Sequence, residues 1–311
     1  MSSVTLPQGA PASFFTDLGR ALRQNIRQYG MFIALAVIWA FFAATTNGVF
    51  LSSRNLSNLF DQTGYIAVLA VGMTLIIVIR HIDLSVGFLA GFLGAVAAIA
   101  LKYWGMPVYV VVPMVLVLGI LAGTIPAFLV AQLKIPAFVA TLAGWLAYRG
   151  LLVVVLASTG TIIISDESFN ALGNGYIPDI PGLTFLPEVH KLTLLLGLAA
   201  IVLFIVSQIN DRRKKLAYNF EVLPNAIFIL KLVFVSVLLG AGSLILSLYN
   251  GFSWTLVIVL IVVGIYQFMT TQTVLGRHIY AIGGNPEAAR LCGIQVPRVY
   301  FWTYVMMGVL I

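Results

Sequence analysis

Nine apolar stretches divide most of this chain, and they limit what it can fold into more than any other feature. Only 9% of the 311 residues are charged, whereas a soluble domain carries about 25%. Backbone groups in lipid must find their hydrogen bonds within one segment, and these stretches lack the alternation of barrel strands, so each predicts a helix. We therefore expect an all-α polytopic membrane helix bundle with about nine spans. The predicted spans are 29–46, 62–79, 86–101, 106–133, 138–156, 191–209, 225–248, 253–270 and 299–311.

The last predicted span differs from the others in length. A helix needs roughly 20 residues to cross a hydrocarbon core of about 30 Å, with some allowance for tilt and interfacial residues. The stretch 299–311 has too few residues for this. We expect the chain to be incomplete at its C-terminus, with more of the bundle to follow.

The distribution of Lys and Arg predicts the orientation in the membrane. Basic residues collect on the cytoplasmic side of membrane proteins. With the N-terminus inside, twelve fall on the inner side and three on the outer side. The inner group is Arg20, Arg23, Arg27, Arg80, Lys134, Arg212, Arg213, Lys214, Lys215, Arg277, Arg290 and Arg298, and the outer group is Arg54, Lys102 and Lys191.

This orientation divides the chain into regions. Residues 1–28 are predicted to be a cytoplasmic N-terminal segment, and residues 29–311 a transmembrane domain. Within that domain, 157–190 forms a periplasmic loop, 210–224 a basic cytoplasmic loop and 271–298 a polar cytoplasmic segment. The net charge of +7 does not indicate nucleic-acid binding, because the basic residues lie in short loops as orientation signals do.

The cytoplasmic segment 271–298 contains the signals of a short helix. Asn285 suits the N-cap, Pro286 the first helical position and Glu287 the positive helix start, and Gly293 ends the helix. The preceding Gly283-Gly284 pair reads as a turn. About two helical turns are not stable alone in water, so other groups must pack against this helix.

The residues that need such cover are Ala288, Ala289, Leu291 and Ile294. Two interpretations remain open. The helix is an ordinary loop element or lies on the membrane surface, or it docks into a cytosolic partner.

A second polar site interrupts the apolar spans at 80–87. Asp83 or Ser85 can cap the helix that begins near Val86. This is a capped inner turn, or a break in the membrane that lines a polar path as in transporters. Arg149 is the one cation deep within a span and should face the bundle interior, a wet cavity or backbone carbonyls.

Signatures of enzymes are missing from the sequence. It has no G-x-x-x-x-G-K-[ST] loop, no H-E-x-x-H motif and no G-x-S-x-G elbow, and its three histidines lie far apart. We therefore expect no catalytic residue, no metal site and no cofactor bound by this chain.

Four stretches resemble the permeases of ATP-binding-cassette sugar importers, the ribose, xylose and multiple-monosaccharide branch. The run from Gly276 to Arg290 resembles their coupling segment, and three further motifs are resembled by residues 51–56, by residues 82–87 and by residues 135–142 with Arg149-Gly150. The similarity covers roughly residues 29–311 and looks greatest to the xylose and multiple-monosaccharide permeases. Arg80 departs from the family pattern, which usually has a small residue there.

The resemblance implies a permease subunit that carries out no chemistry itself. Two copies would form the path, a cytosolic ATPase would bind ATP and Mg²⁺, and a periplasmic sugar-binding protein would deliver the sugar at the bacterial inner membrane. Asp83, Ser85 and Arg149 are the candidate path residues. The candidate coupling residues are Gly276, Arg277, Gly283, Gly284, Asn285, Pro286, Glu287, Ala288, Ala289, Arg290 and Gly293.

Two other classes of protein remain as alternatives. A secondary transporter or channel would work without an ATPase, and such proteins usually place charged residues at mid-membrane. Only Arg149 fits that pattern here. An intramembrane enzyme is disfavoured by the missing nucleophile, metal and paired-acid signatures.

Overall fold

The structure is a computed structural model that describes residues 26–157, 159–181, 189–220, 222 and 224–311. Most of the predicted N-terminal segment 1–28 lies outside these residues. By backbone contacts the chain divides into two compact units, Met1–Leu56 and Ser57–Ile311. In the first, the Trp39 and Phe50 rings meet edge to face with centroids 5.9 Å apart.

Twelve α-helices and one short 3-10 turn make up the described chain. No strand occurs among the described residues, which have only an isolated antiparallel bridge between Tyr176 and Ser253. The helices are α1 Ile26–Thr45, α2 Ser53–Val78, α3 Val86–Lys102, α4 Val108–Ala131, α5 Ala137–Leu156, α6 Glu167–Asn174, α7 Lys191–Ala217, α8 Asn225–Ser247, α9 Trp254–Gln272, α10 Val274–Gly284, α11 Pro286–Leu291 and α12 Val296–Leu310.

Six of these helices are long and apolar enough to cross a membrane, namely α2, α4, α5, α7, α8 and α9. Helix α3 is apolar but has 17 residues, and α12 has 15. The predicted all-α class is confirmed, and each predicted span overlaps a helix. The count of nine spans and the inside position of the N-terminus stay predictions.

The centre of the bundle is the contact between α4 and α12, the most extensive helix pair. Glycines let the two backbones approach closely, as small residues do in membrane bundles. A Cβ added at Gly308 would lie 2.4 Å from the carbonyl oxygen of Gly119 and 2.9 Å from Cα of Gly123. The Gly119 and Gly123 pair therefore lies at a close helix contact. Pro113 and Pro126 lie inside α4.

Helices α7 and α8 form a hairpin. They pack along each other, and neither has comparable contact with another helix of the described chain. The basic residues 212–215 lie in the last turns of α7, so the prediction of a loop from residue 210 was wrong. The prediction was based on hydropathy, which marks where a helix leaves the apolar core. The helix itself continues beyond that point, to Ala217.

Two further predictions about connections need correction or detail. The Gly283-Gly284 pair is not an independent turn but the last residues of α10, a helix that the sequence analysis missed. The predicted outer loop 157–190 contains α6, whose N-cap Asp166 accepts a hydrogen bond from the backbone N–H of Phe169 at 2.9 Å.

The connections gather in two groups at the ends of the second unit. The break at 79–85, the loop after α4 and the helices α10 and α11 meet at one end. The second group brings together residues 175–179, the start of α7 and residues 249–254. There the backbone N–H of Ile177 donates to the carbonyl of Phe252 at 2.9 Å.

Candidate functional site

Helix α11 begins as the sequence predicts. The Asn285 side-chain oxygen Oδ1 accepts hydrogen bonds from the backbone N–H groups of Glu287 at 3.0 Å and Ala288 at 3.1 Å. Pro286 occupies the first turn, where its missing N–H costs nothing. Gly293 follows the helix in the left-handed conformation with φ +85°. Each local signal therefore performs the structural role assigned to it.

One face of α11 packs against other parts of the chain, and the opposite face is exposed. Ala289 is 5% exposed and packs in a cluster with Ile79, Ile279, Ile282 and Val299. Ile294 lies against the same cluster. Of the four residues expected to need cover, these two receive it within the chain.

The other two, Ala288 and Leu291, are exposed, and Leu291 is 83% exposed. Glu287 and Arg290 flank them and are exposed as well. The outward face of α11 is therefore a small apolar surface with one acid and one base. The opposite face of the helix packs against the rest of the chain through Ala289.

Helix α10 supports α11 and contains the remaining coupling candidates. Thr273 is its N-cap, accepting from the Gly276 N–H at 3.2 Å. Gly276 is buried and Arg277 is exposed. A Cβ at Gly283 would lie 2.4 Å from the carbonyl oxygen of Val78, at the end of α2, so only glycine fits there.

Arg80 joins the polar break to the coupling segment. It has φ +65°, and its guanidinium donates to the carbonyls of Gly283 at 2.9 Å and of Gly284. These are carbonyls at the end of α10, which the helix itself leaves without partners. The positive charge also suits the negative end of the helix dipole. The residue that departs from the family pattern is thus the cap of α10.

The break itself holds a buried polar pair. Asp83 is 3% and Ser85 2% exposed, and Asp83 Oδ1 accepts from the Ser85 N–H at 2.9 Å and from its hydroxyl at 2.6 Å. Burial raises the pKa of Asp83, and the two hydrogen bonds oppose this rise. Thr141 of α5 donates to the carbonyl of Ile82 at 3.1 Å. The pair therefore organises the start of α3 against α5.

His81 continues these contacts to α12. Its ring lies 4.4 Å from that of Tyr300, centroid to centroid. Its Nδ1 is 3.4 Å from the hydroxyl of Tyr304, a residue that is 1% exposed. Residues 80–85 consequently contact α10, α12 and α5 within six positions of sequence.

Arg149 does not join this cluster. Its side chain is exposed, with the guanidinium carbon 5.4 Å from the Trp145 ring centroid and 5.8 Å from that of Phe88. Among the described residues it has no hydrogen bond to a carbonyl and no contact with the Asp83 and Ser85 pair. Its place in a translocation path stays a prediction.

A cavity away from the coupling segment was missed by the sequence analysis. It has a volume of about 650 Å³ and lies among α2, α6 and α9, with Asp61, Asn170 and Thr255 in its lining. The Tyr176 hydroxyl donates to Asp61 Oδ2 at 2.7 Å, and burial raises the pKa of Tyr176. The signal for this site in the sequence was Asp61, an acid immediately before the predicted span 62–79.

The fold and these sites define a multi-pass membrane protein with a rigidly backed helix at one end. The family described as "Branched-chain amino acid transport system / permease component" matches residues 55–310. The chain therefore belongs to this family of transport-system permeases. Since its members are permease components, the chain is a transport component and not an enzyme.

Curated relatives agree with this assignment. The xylose transport system permease protein of Haemophilus influenzae is 37% identical over 287 residues, which cover 92% of this chain and 73% of the relative. The protein of the same name from Escherichia coli K12 is 33% identical, with 92% and 70% covered.

The ribose import permease protein of Haemophilus influenzae is 29% identical over 282 residues, with 90% of this chain and 64% of the relative covered. These relatives confirm the resemblance to sugar-importer permeases. No solved structure matched the chain.

Proposed function

We propose that this chain is the permease subunit of an ATP-binding-cassette importer that moves a monosaccharide, a xylose-like pentose or a related sugar, across the bacterial inner membrane. ATP hydrolysis, with its Mg²⁺, belongs to a separate cytosolic subunit. A periplasmic sugar-binding protein delivers the sugar, and a second copy of the permease completes the path. The N-terminus is cytoplasmic.

The observation that carries this proposal is the construction of α11. A two-turn helix is capped by Asn285 and packed from behind through Ala289, yet it presents Leu291 at 83% exposure. An exposed leucine between charged neighbours suits insertion into a groove on another protein. The xylose permease relatives supply the sugar class.

The packing around α10 supports a route by which a movement of α11 reaches the membrane helices. Force applied to α11 reaches α10 through the shared cluster of Ile279, Ile282 and Ala289. It then reaches the break through Arg80, and from the break reaches α3 and α5. Asp83, Ser85 and Arg149 are the side chains proposed to border the sugar path.

The test is ATP-driven uptake in proteoliposomes that contain the permease, the ATPase and the binding protein. Glu287→Lys reverses the charge beside the exposed leucine, and Gly284→Pro removes an N–H from the last turn of α10 and alters the Arg80 contact. Both variants should insert normally and lose uptake. Leu291→Asp should do the same, because an exposed apolar anchor is replaced by a charge.

A matched control separates docking from general surface polarity. Tyr218→Asp changes a residue of similar exposure, 74%, that follows the last residue of α7 outside the coupling segment, and it should keep uptake. Full uptake by Glu287→Lys and Leu291→Asp would contradict the proposal. Accumulation driven by a proton or sodium gradient without ATP would favour the secondary transporter instead.

A further inference from the structure

The facing ends of α7 and α8 form a basic cleft that the proposed transport route does not include. Its volume is about 520 Å³. Three cations line it, namely Arg212, Lys215 and Lys231, and its other lining residues include Asp211, Phe228 and Pro224.

Arg212 is held in a fixed position in the wall of this cleft. Its guanidinium carbon lies 4.4 Å from the ring centroid of Phe228, and its Nη2 donates to Oδ1 of Asn225. Its Nη1 is buried and has no acceptor among the described residues. This buried atom is closed to a ligand in the present arrangement, but the Arg212 side chain lines the cleft, and a phosphate oxygen is a strong acceptor for a guanidinium.

The other two cations lie around Arg212. Lys215 follows it by three residues and therefore shares its face of α7. Lys231 belongs to α8 and donates to Oε1 of Gln208 on α7 at 2.8 Å, which holds the amine between the two helices. The cleft thus combines charges from both helices of the hairpin.

The hairpin around the cleft presents apolar side chains outward. Leu203 is 69% and Val237 62% exposed, and neither helix packs extensively on another described helix. In a membrane protein such faces contact lipid acyl chains. A basic cleft between helices at the end of such a surface is where lipid headgroups bind.

We propose that the cleft binds the phosphate of an anionic phospholipid headgroup, with Arg212 and Lys215 from α7 and Lys231 from α8 as its ligands. The site stands independently of the sugar and of the ATPase. Only its assignment to the inner leaflet rests on the orientation given above under the proposed function.

The chain offers a matched test. Arg212→Gln with Lys215→Gln removes two charges that line the cleft, whereas Arg213→Gln with Lys214→Gln removes two exposed charges of the same helical turn that do not. The full-length protein is titrated in detergent with phosphatidylglycerol or phosphatidylcholine, and bound lipids are counted by native mass spectrometry.

We expect wild-type protein to retain one phosphatidylglycerol in preference to phosphatidylcholine. The cleft variant should bind it at least about tenfold more weakly, since each basic group near a lipid surface contributes about 1 kcal/mol. The control variant should change by much less. Lys231→Gln, on the other helix, should also weaken binding, which keeps the test valid if the double variant folds poorly.

Three results would overturn the proposal. Equal losses in the two double variants would show general polybasic attraction without a site. Equal retention of the two lipids by wild-type protein would exclude an anionic headgroup. Displacement of phosphatidylglycerol by millimolar inorganic phosphate would identify the free anion as the ligand.

Discussion

At the scale of single residues, the end of α10 shows how differently two neighbouring glycines are used. Gly283 touches the backbone of Val78, and an added Cβ would lie 2.4 Å from its carbonyl oxygen. The adjacent Gly284 has no foreign atom within 4 Å of such a Cβ. The same residue type is thus required at one position and only permitted at the next.

Gly283→Ala should destabilise the protein by about 1–3 kcal/mol, because the new methyl group forces α10 away from α2. Gly284→Ala should leave stability nearly unchanged. Thermal unfolding of the two purified variants checks this difference. Equal melting temperatures would contradict the close contact at Gly283.

Asn285→Ala should weaken α11 by about 1 kcal/mol, since two backbone N–H groups lose their acceptor. Asn285→Asp keeps an acceptor and should preserve the helix. Hydrogen exchange of the amides at 287 and 288 reports the cap directly. Faster exchange in the Asp variant than in the Ala variant would be inconsistent with capping.

At the scale of elements, two helix ends are completed by side chains from outside those helices. Arg80 caps the end of α10, more than 200 residues away in sequence. At the start of α7, Asp179 Oδ1 accepts from the Leu192 N–H at 2.9 Å, and Lys191 lies 3.4 Å from Oδ2. The first cap ties the break at 79–85 to α10, and the second ties the preceding connection to α7.

Arg80→Ala should reduce the sugar transported per ATP hydrolysed while ATP hydrolysis continues. Removing a contact between coupled sites typically changes coupling by about 0.5–2 kcal/mol, or about two- to thirtyfold. Arg80→Lys should lose less coupling than Arg80→Ala, because lysine keeps the positive charge. It should not reach the wild-type value, because an ammonium lacks the planar fork that reaches both carbonyls. A proportional fall of transport and hydrolysis would indicate a folding defect instead.

Asp179→Ala should speed hydrogen exchange at residues 190–194 at neutral pH. The Leu192 N–H lowers the pKa of Asp179 below its ordinary value of 3.8. A carboxyl with a lowered folded-state pKa stabilises the fold above its unfolded pKa and loses this effect as the pH falls through the folded value.

Acidification below about pH 4 should therefore loosen the same residues in the wild-type protein, given an unfolded pKa of about 3.9. The Asp179→Ala variant should show little further loosening there. An identical acid response of both proteins would assign the effect to other groups.

Elements differ in how well the sequence predicted them. Most spans and α11 were predicted within a few residues, because hydropathy and capping signals are local, but α2 begins at Ser53, nine residues before the predicted span. Helix α10 was missed because its buried positions, Gly276, Ile279 and Ile282, form a short stripe among polar residues. The stability of α10 comes from packing on α2 and α12. The end of α7 was predicted too early, because hydropathy reports where a helix leaves the lipid and not where its backbone hydrogen bonds end.

At the scale of the whole molecule, the crossing of α4 and α12 holds the second unit together. Gly119, Gly123 and Gly308 bring the two backbones into contact over this crossing. Tyr304 and Met307, each 1% exposed, pack beside it.

Gly308→Ala should lower the stability of the unit by about 1–3 kcal/mol, since a Cβ would meet the backbone of Gly119. Gly94→Ala on α3 meets nothing within 4 Å and should be neutral or slightly stabilising, as alanine favours helix over glycine. Thermal unfolding in detergent compares them. A larger loss for Gly94→Ala would contradict the packing described.

The sequence by itself determined the all-helical membrane class, the approximate spans and the capped helix α11. Each of these depends on residues within one segment, where hydropathy, N-cap chemistry and glycine conformation act. The tertiary structure alone decided that Arg80 caps α10, that Gly283 meets Val78 and that Arg212 and Lys231 share one cleft. Those contacts join residues from different helices and connections, and only the packing of whole helices brings them together.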